Sequence, residues 1–131
     1  MRDGRARDHH ALALIADDDA TMRLLLQQSL EQRDFRVIVA ENGAQAIEAF
    51  ITLNPDIVLL DVEMPDMDGF ELVWKIKADE RLKQIPVIIL TSTGMIGDTK
   101  ICRELGIKGY LTKPVEFESM ISRVEKAIYF G

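Results

Sequence analysis

The residues of this chain that are best suited to chemistry are polar groups that each follow a short apolar run. They comprise adjacent carboxylates, a separate carboxylate, a hydroxyl and an amine: Asp17, Asp18 and Asp19; Asp61; Thr91; and Lys113. Carboxylate oxygens are ligands that Mg²⁺ prefers, and a hydroxyl or an amine beside them can bind the oxygens of a phosphoryl group. The residue types therefore indicate a magnesium site that handles phosphate.

The first acidic group is too crowded to be explained by helix capping alone. Asp19 is in the right place to cap the following helix by accepting backbone N–H groups. Asp17 and Asp18 would repel each other unless a cation or a basic side chain compensated their charge. Asp61 follows the apolar run 57–60, so its carboxylate is expected at the rim of a buried strand. We predict that Asp18 and Asp61 are direct ligands of Mg²⁺.

Lys113 and Thr91 each have an ordinary alternative role, as a solvated surface charge and as a core β-former. Lys113, however, ends the last apolar run rather than lying on a helix, and Pro114 restricts its backbone to an extended form. Its ammonium group is therefore expected near Asp61, where it would neutralise an incoming phosphoryl group. The hydroxyl of Thr91 ends the fourth run and is placed to bond a phosphoryl oxygen.

The elements that must position these groups follow from the apolar pattern. From residue 12 onward, short apolar runs alternate with helical patterns, which predicts a parallel sheet with helices on both faces. The predicted strands are residues 12–16, 35–39, 57–60, 87–90 and 109–112. Right-handed crossovers then favour an α/β, doubly wound sheet of five parallel strands in the order 2-1-3-4-5. The site of such a sheet lies at the carboxyl ends of its strands, where all the polar candidates are.

Length and composition bound the function. The chain has 131 residues, of which 47% are hydrophobic and 29% charged, as expected for one globular domain. Residues 1–10 hold three arginines and two histidines without an apolar segment, which predicts a disordered tail before a domain over 11–131. A single cysteine and the absence of a run of about 18 apolar residues predict a cytoplasmic protein without membrane insertion. The net charge of -6 argues against direct nucleic-acid binding.

Three local sequences occur together at these strand ends: IADDD at 15–19, LLDVEMPDMDG at 59–69 and YLTKP at 110–114. With them, the chain resembles the response regulator receiver family of two-component signalling, which belongs to the CheY-like superfamily and has a flavodoxin-like fold. The resemblance runs from about residue 12 to residue 128. It implies a phosphoprotein that acts as a signal-transduction switch, within a phosphorelay, rather than as a metabolic enzyme.

The resemblance also implies a role for each site residue. Asp61 would be the phosphoacceptor, and Asp17 and Asp18 would be the acidic pair that holds Mg²⁺. The backbone carbonyl of Glu63 would be a further metal ligand, and its side chain would tune how fast the phosphoryl group is lost. Lys113 would contact the phosphoryl group. Thr91 and Tyr110 would be the switch residues, the ring turning inward when the hydroxyl moves.

Partners follow from the same resemblance. A histidine kinase or a histidine phosphotransfer protein would supply the phosphoryl group, and small phosphodonors would also serve, since the receiver catalyses its own phosphorylation and dephosphorylation. The face made by predicted helix 4 (around Ile101, Cys102 and Leu105), strand 5 and helix 5 would then control a downstream protein or a covalently linked output domain. A phosphorylation-dependent homodimer is a further expectation.

Rival interpretations fit the residues less well. A haloacid-dehalogenase-like phosphatase would have its nucleophile on the first strand and a second Asp at the place of Glu63. A flavodoxin would have its phosphate-binding loop after strand one, whereas the Thr91-Ser92-Thr93-Gly94 stretch follows strand four. The stronger alternative is a phosphate-independent receiver-like scaffold. Such scaffolds usually lack the acidic pair, the acceptor or the lysine, and this chain has all of them.

Overall fold

A computed structural model describes residues 10–66, 69–92 and 106–129 of the chain. Within these ranges five parallel strands form one sheet in the order β2-β1-β3-β4-β5, which confirms the predicted topology. The strands are β1 (Leu12–Ala16), β2 (Arg36–Ala40), β3 (Ile57–Asp61), β4 (Val87–Thr91) and β5 (Gly109–Thr112). Strands β3 and β4 each continue one residue beyond their apolar run, so Asp61 and Thr91 are the last residues of their strands.

Strand β2 begins and ends one residue later than predicted. The backbone N–H of Phe35 donates to the carbonyl of Leu30, 3.2 Å away, and so completes the turn after the first helix instead of joining the sheet. Ala40 then pairs with Ala16 of β1. Ala40 is buried, and Val37 and Ile38 are half-buried, as expected for an edge strand that is covered by helices.

Four helices lie in the described part of the chain: α1 (Ala20–Glu31), α2 (Gly43–Leu53), α3 (Gly69–Ala78) and α4 (Phe117–Tyr129). Side chains that accept backbone N–H groups begin two of them, Asp19 before α1 and Asn42 before α2. Asn54 ends α2 in a left-handed conformation, with φ 47°. None of the helices in the described ranges is long and apolar enough to cross a membrane.

Two predicted segments cannot be compared with the structure. The helix predicted around Ile101, Cys102 and Leu105 lies outside the described residues, as do residues 1–9 of the predicted tail. The helix that was numbered 5 in the prediction is α4 of the structure. His10, the last residue of the predicted tail, is exposed, and its ring Nδ1–H donates to the carbonyl of Asp34 at 2.7 Å.

The core has two halves, one on each face of the sheet. Alternate residues of β1 divide between them: Leu14 faces Phe50 of α2 and Leu72 of α3, whereas Ile15 faces α1 and α4. All residues of β1, β3 and β4 are buried. Truncating a fully buried side chain such as Phe50 to alanine would cost about 3–5 kcal/mol. The strand ends are therefore held on a rigid support.

Candidate functional site

The register of the sheet brings the polar strand ends to one edge. Ala16 pairs with Leu60, which places Asp17 beside Asp61 on the neighbouring strand. On the other side, the residue pairs of β3 with β4 and of β4 with β5 align the ends of these strands as well. In the described part of the chain the buried polar side chains are those of Asp17, Asp61 and Thr91, and all belong to this edge. Among the described residues, fully buried polar side chains thus occur at the candidate site alone.

Three carboxylates form the centre of the site. Oxygen atoms of Asp17, Asp18 and Asp61 lie within 4.8 Å of one another. Asp17 Oδ1 accepts the N–H of Asp19 at 2.9 Å, and Asp61 Oδ1 accepts the N–H of Glu63 at 2.8 Å. Asp18 is exposed and reaches the cluster from the solvent side. These bonds fix the orientation of both buried carboxylates.

The donor set fits a hard cation. Asp17 Oδ2 is buried and forms an ion pair with the Lys113 ammonium, 3.0 Å away. A buried carboxylate oxygen normally has a hydrogen-bond partner or a cation. Oxygen-only ligands with carboxylate charge suit Mg²⁺ or a similar divalent ion. The cluster therefore has the chemistry of a magnesium site.

Lys113 connects the two buried carboxylates. Its Nζ lies 3.0 Å from Asp17 Oδ2 and 3.3 Å from Asp61 Oδ2. Burial acts to lower the pKa of Lys113, but the hydrogen bonds and negative charges of Asp17 and Asp61 outweigh it, so the pKa lies above its ordinary value. The backbone N–H of Lys113 also donates to the carbonyl of Thr91 at 2.8 Å, and its peptide bond to Pro114 is cis. The side chain is a permanent ammonium group beside Asp61.

Asp61 is the carboxyl whose protonation is most strongly perturbed. Burial raises its pKa from 3.8 to about 6; the hydrogen bond from Glu63 opposes this, the charge of Asp17 adds to it, and Lys113 again opposes it. At neutral pH Asp61 is thus mainly ionised and poorly solvated. A carboxylate in this state binds a cation or an electrophile readily, because either relieves the uncompensated charge.

Thr91 and Ser92 contact the side chain of Glu63, which follows Asp61 by two residues. The Thr91 hydroxyl donates to the carbonyl of Ser92 at 3.0 Å and lies 3.4 Å from Glu63 Oε1. Glu63 also accepts the N–H of Ser92 at 2.5 Å and the Ser92 hydroxyl at 2.7 Å. These bonds, that of the Ser92 N–H first, hold the pKa of Glu63 below its usual range. Our sequence interpretation gave Ser92 no role in the site, and no pattern in the sequence joins these two loops.

Two other contacts that the sequence interpretation missed fasten the loops around the site. Both oxygens of Asp66 accept the N–H of Gly43, at 3.0 and 3.1 Å, so the loop after β3 is tied to the start of α2. Arg23 of α1 donates to the carbonyl of Asp17 at 2.8 Å and lies 3.6 Å from Glu41. Both contacts stabilise the backbone of the loops that carry the acidic residues.

Tyr110 lies away from the carboxylates. It pairs with Ile89 of β4 and is half-buried, packing against the half of the core that α2 and α3 cover. The structure thus brings together Asp17, Asp18, Asp61 and Lys113, with Thr91 and Glu63 beside them, and places Tyr110 on β5 at the side of the sheet.

The chain is similar in sequence and in structure to proteins of known family. The family model described as the response regulator receiver domain matches residues 13–125. DNA-binding dual master transcriptional regulator RpaA of Synechocystis sp. is 37% identical over 111 residues, which cover 85% of this chain and 46% of RpaA. Protein PilH of Pseudomonas aeruginosa is 33% identical over 118 residues, which cover 90% of this chain and 98% of PilH.

A solved structure shares the fold. Chemotaxis response regulator CheY4 of Vibrio cholerae superposes with a TM-score of 0.82 at 26% identity, over 89% of this chain and 98% of CheY4. The chain spans about half the length of RpaA and nearly the whole of PilH. The similarity is therefore that of one domain, which occurs within a longer regulator and also makes up almost all of a short protein.

Proposed function

This chain belongs to the response regulator receiver domain family, whose members are two-component signalling switches, and on that premise we propose that it accepts a phosphoryl group on Asp61. The observation that carries the proposal is the surroundings of the Asp61 carboxylate. It is buried, it belongs to a cluster of three carboxylates, and an ammonium group lies 3.3 Å from its Oδ2. A cation and a transferring phosphoryl group would each find matching charges there.

The residues that would hold Mg²⁺ are Asp17, Asp18 and Asp61, together with the backbone carbonyl of Glu63. Their fit rests on the shared oxygen cluster, in which the Lys113 ammonium lies beside two of the three carboxylates. When bound, the ion neutralises charge that develops on the phosphoryl oxygens.

In the proposed reaction an oxygen of Asp61 attacks the phosphorus of a phosphohistidine or a small acyl phosphate in line with the leaving group. One O–P bond forms as the donor's N–P or O–P bond breaks, and the leaving group departs with its electron pair. The Lys113 ammonium and the Thr91 hydroxyl stabilise the negative charge of the remaining phosphoryl oxygens. Later attack by water on phosphorus returns phosphate and the Asp61 carboxylate, so the modification is temporary.

The proposed switch begins at Thr91. Its hydroxyl donates to the Ser92 carbonyl in this structure and would turn toward the phosphoryl oxygens, which are stronger acceptors. Tyr110 on β5 would then change rotamer, and the face made by β5, α4 and the segment around 101–105 would change shape. That segment lies outside the described residues. A phosphoryl group can shift the population of the two states only by the difference in its stabilisation of them.

The proposed partners are a cytoplasmic histidine kinase or histidine phosphotransfer protein as donor, and a downstream protein or linked output domain as target. A homodimer formed on phosphorylation is part of the same proposal. A phosphate-independent scaffold remains the second candidate. The intact set of acidic pair, acceptor and lysine disfavours it, because a scaffold has no need to keep like charges together in a buried site.

The test is intact-mass measurement after incubation with Mg²⁺ and acetyl phosphate. We expect the wild-type chain to gain one phosphoryl group, and we expect Asp61→Asn or a chelator to abolish the gain. Asp34→Asn is the matched control, because Asp34 is an exposed carboxylate far from the site and its φ of 68° is one that asparagine readily adopts. No gain in wild type under any condition would favour the scaffold, and an unchanged gain in Asp61→Asn would refute the acceptor assignment.

A further inference from the structure

The side chain of Glu63 binds the donor groups at the carboxyl end of β4. Its carboxylate accepts the N–H of Ser92 at 2.5 Å and the Ser92 hydroxyl at 2.7 Å, and the Thr91 hydroxyl lies 3.4 Å from its Oε1. The backbone of Glu63 is joined to the acceptor as well, since its N–H donates to Asp61 Oδ1 at 2.8 Å. One residue thus links the acceptor to the end of the next strand.

These donors are the ones that an anion on Asp61 would need. Leu90 pairs with Asp61 at the end of β3, so Thr91 is one residue beyond that pair, and its hydroxyl is the proposed phosphoryl contact. Ser92 is the next residue, and its N–H and O–H point toward the Glu63 carboxylate rather than toward backbone acceptors. The charge of Lys113 also acts favourably on Glu63. Glu63 is therefore an anion that already lies among the groups suited to bind one.

We propose that the Glu63 carboxylate is an internal competitor of the phosphoryl group, bound to the Thr91 and Ser92 donors in the unphosphorylated state and displaced when Asp61 is modified. The inference rests on the proposed function of Asp61. It gives the Glu63 side chain a positioning role, because the carboxylate acts by holding Thr91 and Ser92 and not by contact with the reacting atoms. Phosphorylation then exchanges one anion for another at the end of β4.

The contact lies outside the buried core. Glu63 and Ser92 are both exposed, and strands β3 and β4 are paired through their buried residues. Carboxylate bonds to N–H and O–H donors are charge-assisted and stronger than neutral ones. An exposed contact of this strength, outside the core, is suited to setting the balance between two states of a loop.

A simpler account is that Glu63 only repels an incoming anion through its charge. The two accounts differ in their dependence on Ser92. Under competition, removing the Ser92 hydroxyl weakens the hold of Glu63, so the benefit of removing the carboxylate becomes smaller. Under repulsion alone, that benefit is the same with and without the hydroxyl. A double-mutant cycle separates them.

The experiment measures the affinity of the Mg²⁺-loaded protein for beryllofluoride, a non-covalent mimic of the phosphoryl group, by NMR titration. The variants are Glu63→Gln, Ser92→Ala and the double substitution, with Glu48→Gln on the exposed side of α2 as a charge-matched control. We expect Glu63→Gln to tighten binding about tenfold when Ser92 is present and less than about threefold when it is alanine, as for loss of a charge-assisted contact. Glu48→Gln should leave the affinity unchanged.

Equal gains in both backgrounds, or no gain from Glu63→Gln, would overturn the competitor. The amide signal of Ser92 in the anion-free protein gives a second readout, because Glu63→Gln should shift it upfield and speed its hydrogen exchange. An unmoved Ser92 amide would also overturn the inference. Failure of the proposed function is recognised separately, as the absence of a Mg²⁺-dependent phosphoryl adduct in every variant, whereas failure of this inference leaves adduct formation intact and independent of Glu63.

Discussion

Two partly buried lysines lie at opposite ends of the sheet and differ in what surrounds them. Lys77 donates to the carbonyls of Lys83 and Ile85, at 3.0 and 2.9 Å, in the loop that enters β4. Burial is the main cause that lowers its pKa, and the charge of Lys108 adds to it. Lys113, at the other end, faces two buried carboxylates, and its pKa is raised on balance.

The same contrast holds for the acidic groups. At the amino ends of the strands, Asp56 Oδ2 accepts the N–H of Leu12 at 2.8 Å and so joins the start of β3 to β1. At the carboxyl ends, Asp17 and Asp61 are buried side by side. Charges at the amino end close loops by binding backbone groups. Charges at the carboxyl end are held together against their own repulsion, which indicates a site kept for ligands rather than for stability.

The largest expected effect comes from exchanging each lysine for methionine. Lys113→Met should slow phosphorylation of Asp61 by acetyl phosphate about 100-fold, as for loss of a donor to developing negative charge. Lys77→Met should leave that rate unchanged and lower the free energy of unfolding by about 2 kcal/mol, because the Lys83 and Ile85 carbonyls lose their donor. Stopped-flow kinetics and urea denaturation measure the two quantities. Slow phosphorylation of Asp61 in Lys77→Met would remove the distinction between the two ends of the sheet.

Removing charge from each end should also change stability in different directions. Asp61→Asn should raise the metal-free unfolding free energy by about 2 kcal/mol at pH 7, because the raised pKa of Asp61 is a cost of ionising it in the folded state. That cost develops as pH rises from the unfolded value near 4 to about 6, where the folded protein binds more protons than the unfolded one. The gain should therefore vanish near pH 4.

Asp56→Asn is the matched control at the amino end. Its carboxylate binds the N–H of Leu12, so the substitution should not stabilise the protein at any pH. Urea denaturation of both variants at pH 4 and pH 7, without divalent ions, gives the comparison. Equal stability of wild type and Asp61→Asn at pH 7 would mean that the carboxylate cluster carries no strain.

Much of this contrast could be predicted from the sequence, and the contacts that could not be predicted have a physical reason in common. Apolar runs such as 57–60 indicate which strands are buried on both faces, and the strand order 2-1-3-4-5 follows from the connections between the strands. The contacts of Glu63 with Ser92 and of Asp66 with Gly43 join loops that are distant in sequence, and their partners depend on register and on loop path. The prediction that β2 begins at Phe35 was wrong for a similar reason, since the N–H of Phe35 completes the turn after α1 instead of pairing in β2.

The smallest expected effect tests whether crowding at the carboxyl end reaches the metal. A proton on Asp61 competes with Mg²⁺ for the same oxygens, so with a pKa of about 6 the affinity for Mg²⁺ should fall about tenfold from pH 7 to pH 5. An aspartate with an ordinary pKa near 4 would lose almost nothing over that range. Calorimetric titration at the two pH values measures the change.

Asp61→Asn is the control for this last measurement, because it removes the titrating group while leaving Asp17 and Asp18 in place. It should bind Mg²⁺ more weakly at pH 7, and the pH dependence that is specific to Asp61 should disappear. A tenfold fall that persisted in Asp61→Asn would assign the proton to another carboxylate of the cluster. The burial of Asp61 between Asp17 and Lys113 would then not raise its pKa. The two ends of the sheet would differ only in their hydrogen bonds.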